Sequence, residues 1–176
     1  MSSIVLIGFM GTGKTAVGRK LAERLGREFI DLDALIEGQQ EMTIAEIFRR
    51  HGEERFRRLE RGAVAGVATR RNVILAAGGG AVLDRENVRY LKQMGPLVHL
   101  MARPEVIERR ISGQRHRPLM EVDDRRKKIE SMLAVRLPFY AVADMDIDTS
   151  DLSIEAVAGR IVRRLGAFES EESGHG

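Results

Sequence analysis

Close to the amino terminus the chain reads Gly8-Phe9-Met10-Gly11-Thr12-Gly13-Lys14-Thr15, directly after the apolar run Ile4 to Ile7. Glycines at the first and sixth positions, then lysine and a hydroxyl residue, have the spacing of a phosphate cradle. The glycines let the backbone turn tightly and aim N–H groups at phosphate oxygens, where a side chain would obstruct the approach. Lys14 can reach the β and γ phosphates as a point charge, and the Thr15 hydroxyl is available to a magnesium ion. A helix beginning near Lys14 adds its positive dipole end.

Further along stands Asp31-Leu32-Asp33. Residues two apart in an extended segment face the same way. One carboxylate can then serve hydrated magnesium while the other meets an acceptor hydroxyl, the arrangement phosphoryl transfer asks for. Asp33 also fits as the N-cap of the next helix, and the two roles are compatible. The apolar run Val73 to Ala76 ends without an acidic residue, which moves the metal role toward Thr15 and Asp31. Gly78-Gly79-Gly80 follows that run, and three glycines cost ordering entropy. That cost makes sense where backbone N–H groups must lie against a ligand; a flexible turn is the alternative. The stretches Phe56-Arg57-Arg58-Leu59-Glu60 and Arg136-Leu137-Pro138-Phe139-Tyr140 are each ambiguous alone, with Pro138 marking a helix end. Gly113 to Met120 lacks periodicity and is rich in arginine, so it reads as a lid.

The elements that must position these groups follow from the apolar pattern. Short runs recur at Ile4 to Ile7, Glu28 to Asp31, Val73 to Ala76, Leu97 to Met101 and Val142 to Ile147, with helix-patterned segments between them. Such alternation predicts an α/β fold with a five-stranded parallel sheet flanked by helices. Ligands bind beyond the carboxyl ends of the strands of such sheets, where the phosphate loop, Asp31-Leu32-Asp33 and Gly78-Gly79-Gly80 lie. Val17, Leu21, Ala22 and Leu25 share one face of the helix after the phosphate loop, and Gly26 stops it. Between the second and third runs the pattern predicts helices near Ala34 to Gln40, Thr43 to Arg50 and Glu53 to Thr69, the middle one capped by Thr43 with Glu46. This insertion, about 32–61, is a candidate acceptor pocket.

With 176 residues, the chain suits one domain, expected over 1–168, with a lid at about 112–122 and a disordered polar tail at 169–176. It has no cysteine, which removes disulfides, thiolate metal sites and a cysteine nucleophile. A net charge of +3 with aromatics at 5% argues against a nucleic-acid partner. Arg125-Arg126-Lys127-Lys128 reads as a solvated helix face. No basic leader or membrane-length stretch is evident, so no membrane partner and a cytoplasmic location are expected. A monomer is expected.

Taken in order, these motifs resemble the shikimate kinases, and the resemblance runs from Ile4 to about Leu165. The matching elements are Gly8 to Thr15, the Asp31 and Asp33 pair, Phe56 to Glu60, Ala77-Gly78-Gly79-Gly80-Ala81-Val82, Arg117-Pro118-Leu119 and Arg136 to Tyr140. The resemblance implies a P-loop kinase fold and transfer of the ATP γ-phosphoryl group to the 3-hydroxyl of shikimate, with Mg2+ as the metal. It places ATP on Gly11, Thr12, Gly13, Lys14, Thr15, Ala16, Arg110 and Arg117, with Arg110 stacked on adenine and Arg117 closing from the lid. Mg2+ would lie at Thr15 and Asp31. Shikimate would lie on Asp33, Arg57, Gly78, Gly79, Gly80 and Arg136, the two arginines clamping its carboxylate. Lys14, Asp33 and Arg117 would be the catalytic set. Glu60 would support the arginines, and Phe48 and Phe56 would form apolar wall. A gluconate-type kinase of the same fold and a binding module without turnover are the rival readings.

Overall fold

A computed structural model describes residues 2–112 and 124–173, with side chains as far as Gly166. Five parallel strands form its sheet in the order β2-β3-β1-β4-β5: β1 Ile4–Ile7, β2 Glu28–Asp31, β3 Val73–Ala76, β4 Leu97–Met101 and β5 Met145–Asp148. The helices are α1 Lys14–Leu25, α2 Leu32–Gln40, α3 Ile44–Val67, α4 Arg85–Met94, α5 Pro104–Ile111, α6 Arg125–Tyr140 and α7 Ile154–Ser173.

Strands β1 and β3 are apolar throughout because both faces are covered. Ile4 and Leu6 point into a core with Val17, Leu21 and Ile161. Val5 and Ile7 point the other way, toward Ile36, Ile47 and Val64. A third apolar cluster, Phe9, Met10, Ile107, Ile111 and Ile129, lies where the phosphate loop meets α5 and α6. Gly26 ends α1 in the left-handed conformation, and Thr43 with Glu46 forms the expected capping box at the start of α3.

Four expectations need correction. The last strand begins at Met145 rather than Val142, since its pairing with β4 runs from Val98↔Met145 to Met101↔Asp148. As an edge strand it alternates, with Met145 and Ile147 buried and Asp146 and Asp148 exposed, so a continuous apolar run located it poorly. The second and third expected helices are joined in α3 and separated by a kink at Gly52, whose φ is 76°. Pro138 does not end α6, which continues to Tyr140; its missing amide frees only the exposed Ala134 carbonyl. The tail expected from 169 is helical as far as Ser173, because no proline or glycine interrupts 167–173. The expected lid, with Arg115 and Arg117, and residues 174–176 lie outside the described residues.

Candidate active site

The phosphate loop leaves β1 and reaches α1 through Gly11 and Gly13, whose φ values of 75° and 100° need glycine. Gly13 is the N-cap of α1 and offers no side-chain cap, so no side chain covers the first amides of the helix. Lys14 folds back over the loop, donating through Nζ to the Gly8 carbonyl at 2.7 Å and the Phe9 carbonyl at 2.9 Å. Thr12 serves the loop itself: its hydroxyl donates to the Phe9 carbonyl at 2.7 Å and its amide to the same oxygen at 3.4 Å.

The carboxylate after β2 meets the hydroxyl after the loop. Thr15 Oγ1 donates to Asp31 Oδ2 at 2.6 Å. Asp31 Oδ1 accepts from the amides of Asp33 and Ala34, which makes Asp31 the N-cap of α2. The expectation of Asp33 as the cap is therefore displaced by two residues. Nor do the two aspartates share an extended segment, since Asp33 stands in the first turn of the helix. They reach the same cavity because the cap turns the chain toward it.

That cavity, of about 1110 Å3, is continuous from the phosphate loop to α3. Gly11, Gly13, Lys14, Thr15, Ala16 and Arg110 form one end of the wall, and Asp33, Phe48, Phe56, Arg57, Gly79, Gly80 and Arg136 form the other, with Asp31 between. The structure thus gathers the expected site residues it describes except Thr12 and Gly78, neither of which lines the wall. Gly78 packs behind it, where a Cβ would meet Glu60 Oε1 at 2.8 Å and Asp33 Oδ1 at 2.9 Å.

The end of the cavity away from the phosphate loop holds two guanidinium groups beside a buried acid. Arg57 Nη1 donates to Glu60 Oε2 at 2.8 Å, and its Nε and Nη2 donate to Glu53 Oε1 at 3.3 and 3.2 Å. Glu60 is 1% exposed, and its Oε1 has no hydrogen-bond partner among the described residues. Burial pushes the Glu60 carboxyl up and Asp33 adds to this, while Arg57 and Arg136 pull it down; the upward push prevails. Arg136 lies over the Phe9 ring at 5.4 Å. Phe48 and Phe56, with centroids 4.8 Å apart, supply apolar wall.

Residues 10–166 match the shikimate kinase family. The chain belongs to that family. It is 50% identical over 163 residues to the shikimate kinase of Caldanaerobacter subterraneus subsp. tengcongensis, a match spanning 93% of this chain and 95% of the relative. The shikimate kinase of Pelotomaculum thermopropionicum is 48% identical over 165 residues, 94% of this chain and 96% of that one. Among solved structures, shikimate kinase from Acinetobacter baumannii in complex with shikimate aligns with a TM-score of 0.91 at 38% identity, covering 95% of this chain and 94% of that chain. Family members are ATP-dependent kinases that phosphorylate shikimate, and the five-stranded parallel sheet flanked by helices is their P-loop fold.

Several wall residues of this family member escaped sequence reasoning. Arg19, Glu37 and Ile44 line the cavity without belonging to any motif. Thr149, which does not line the cavity, is the larger omission. It is 2% exposed at the end of β5, and its hydroxyl lies 3.0 Å from the carbonyls of Thr12 and Met101 and accepts from Arg110 Nη1 at 3.0 Å. Arg110 Nη2 also donates to the Thr149 carbonyl at 2.8 Å. One threonine thereby ties the phosphate loop, β4 and Arg110 together. Its position directly after a strand was the available signal.

Proposed function

We infer that this chain transfers the ATP γ-phosphoryl group to the 3-hydroxyl of shikimate, and that the residues named above divide the work. The observation that carries this reading is the single cavity in which a phosphate loop at one end faces two arginines and an aspartate at the other. The loop suits a triphosphate. Paired guanidinium groups suit a carboxylate, and Asp33 suits an adjacent hydroxyl.

Lys14 holds the transferring phosphoryl group through charge, after exchanging the loop carbonyls for phosphate oxygens. Asp33 meets the acceptor hydroxyl and takes its proton as the oxygen attacks. Arg57 and Arg136 grip the carboxylate, with Glu60 holding Arg57 in place. Arg110 lies at the nucleotide end, anchored by Thr149. Arg117, outside the described residues, is assigned to the phosphates.

The donor set beside the loop fits Mg2+. Thr15 Oγ1 and Asp31 Oδ2 are hard oxygen donors within 2.6 Å of one another, and Mg2+ is commonly held by one or two protein oxygens with phosphates and water completing the shell. Held by Thr15 and Asp31, it would supply positive charge that offsets the charge of the nucleotide phosphates. No described helix is long and apolar enough to cross a membrane.

The reading is tested by ADP release from the full chain with ATP against shikimate, quinate and gluconate, with the phosphorylated position read by 31P NMR. Shikimate is expected to be turned over fastest and to carry the phosphate on its 3-hydroxyl. Asp33→Asn should depress kcat much more than it changes either KM. Preferred turnover of gluconate would reject the acceptor assignment.

A further inference from the structure

Tyr140 closes α6 and is 2% exposed, yet its hydroxyl reaches the glycine turn after β3 and donates to the Gly79 carbonyl at 2.7 Å. The Gly79–Gly80 peptide is trans and planar, so its N–H points opposite to its carbonyl. Holding the carbonyl on Tyr140 therefore fixes the direction of the Gly80 N–H. Both glycines line the acceptor end of the cavity. Gly79 stands beside the phosphate loop and Arg136: a Cβ there would lie in ordinary contact, 3.4 Å from the Met10 amide nitrogen and 3.7 Å from Arg136 Nη1.

The Tyr140 ring is held in turn by His99, in the middle of β4. The two rings stack with centroids 4.5 Å apart and planes at 18°. His99 is 4% exposed, and its Nδ1 lies 2.8 Å from Asp146 Oδ1 on β5, which sets the plane of the imidazole. Arg136 stands four residues before Tyr140 on the same face of α6, and its positive charge opposes the rise in the tyrosine's pKa.

We propose that Tyr140 is a positioning residue for the acceptor, orienting the Gly79–Gly80 peptide, with His99 as the ring that holds it. The proposal rests on the acceptor reading of this cavity. It assigns a purpose to a buried histidine and a buried tyrosine that neither phosphate nor acceptor contacts explain. Burial pushes the Tyr140 hydroxyl up to about 12, so it remains a proton donor to Gly79 through the neutral range. Burial pushes the His99 imidazole down despite the pull of Asp146, which keeps the stacked ring from carrying charge into the core.

The test compares steady-state constants and thermal midpoints of the full-length chain and its variants. Tyr140→Phe deletes one hydroxyl and is expected to raise the KM for shikimate by about tenfold, the effect of one buried hydrogen bond, with kcat and the KM for ATP within about twofold. His99→Ala removes the stacked face and should raise the same KM, whereas His99→Phe keeps an aromatic face and should stay near the wild-type value. The double change Tyr140→Phe with His99→Ala should be no worse for shikimate KM than the more severe single change, because both act through one contact.

An unchanged shikimate KM with a lowered thermal midpoint would make Tyr140 a packing residue and overturn the proposal. So would an equal rise in both KM values, or equal effects of His99→Ala and His99→Phe. If Tyr140→Phe fails to fold, the two His99 variants decide alone. Should the wild type turn over quinate or gluconate in place of shikimate, the acceptor reading falls while the same comparison on that acceptor still decides Tyr140. No turnover on any of the three overturns both.

Discussion

A methyl group on Gly78 tests how closely the acceptor end is packed. The position is buried and its φ is not in the left-handed region, so Gly78→Ala adds bulk without backbone strain. The new Cβ would lie 2.8 Å from Glu60 Oε1 and 2.9 Å from Asp33 Oδ1, against ordinary contact beginning at 3.4 Å. One carboxylate or both must withdraw by about half an ångström, a local overpacking of the kind that costs about 1–3 kcal/mol. Glu60 is the less able to move, being 1% exposed and tied to Arg57 at 2.8 Å. Asp33 borders the open cavity and gives way first. A displacement of about 1 Å in a reacting group can cost on the order of a hundredfold in rate, so half of that corresponds to roughly tenfold in kcat. The KM for ATP should hold, because the phosphate loop is untouched. Coupled ADP release gives kcat and both KM values, and urea unfolding gives the stability. A kcat within about twofold of wild type at unchanged stability would refute the argument that Asp33 and Glu60 close on this glycine.

Gly38→Ala makes a control for that variant: nothing lies within 4 Å of a Cβ at this exposed position of α2, so unfolding should become harder by about 0.5–1 kcal/mol with kcat unchanged. Arg57→Ala and Arg136→Ala should each raise the KM for shikimate by roughly ten- to a hundredfold, the loss of a charge-assisted hydrogen bond, while the KM for ATP stays put. Arg57→Ala should also lower the thermal midpoint further than Arg136→Ala, since it removes the hydrogen-bonding partner of buried Glu60. Glu60 itself gives a pH test. Burial raises its folded pKa, so its contribution to stability is complete below the unfolded value of about 4.3 and is lost as pH rises through the folded value. The urea midpoint of wild type relative to Glu60→Gln should therefore fall as pH is raised from about 4, and a flat or rising difference would reject the shift.

The features legible in the sequence are those decided by neighbours a few residues apart. The phosphate loop, the Gly26 stop and the Thr43–Glu46 capping box each need only a short stretch of backbone to form, so residue type and spacing specify them. Four of the five strands stood out as apolar runs matching their observed spans, and β5 blurred because its outer face meets water. Resemblance to a family supplied the gathering of Arg57, Gly79 and Arg136 into one wall. The spacing of these residues along the chain could not have done so.

Contacts between distant segments were left to the tertiary structure. Asp31 rather than Asp33 caps α2, a choice made jointly with the Thr15 hydroxyl, which holds the other oxygen of the same carboxylate. Thr149 lies 39 residues from Arg110, His99 lies 47 from Asp146, and Tyr140 lies 61 from Gly79. Whether such residues meet depends on strand order and on how each helix seats against the sheet. Those are set by burying many apolar side chains at once, a property of the whole core that no single motif encodes. Local hydrogen bonding thus wrote the phosphate site into the sequence, and packing decided what stands opposite it.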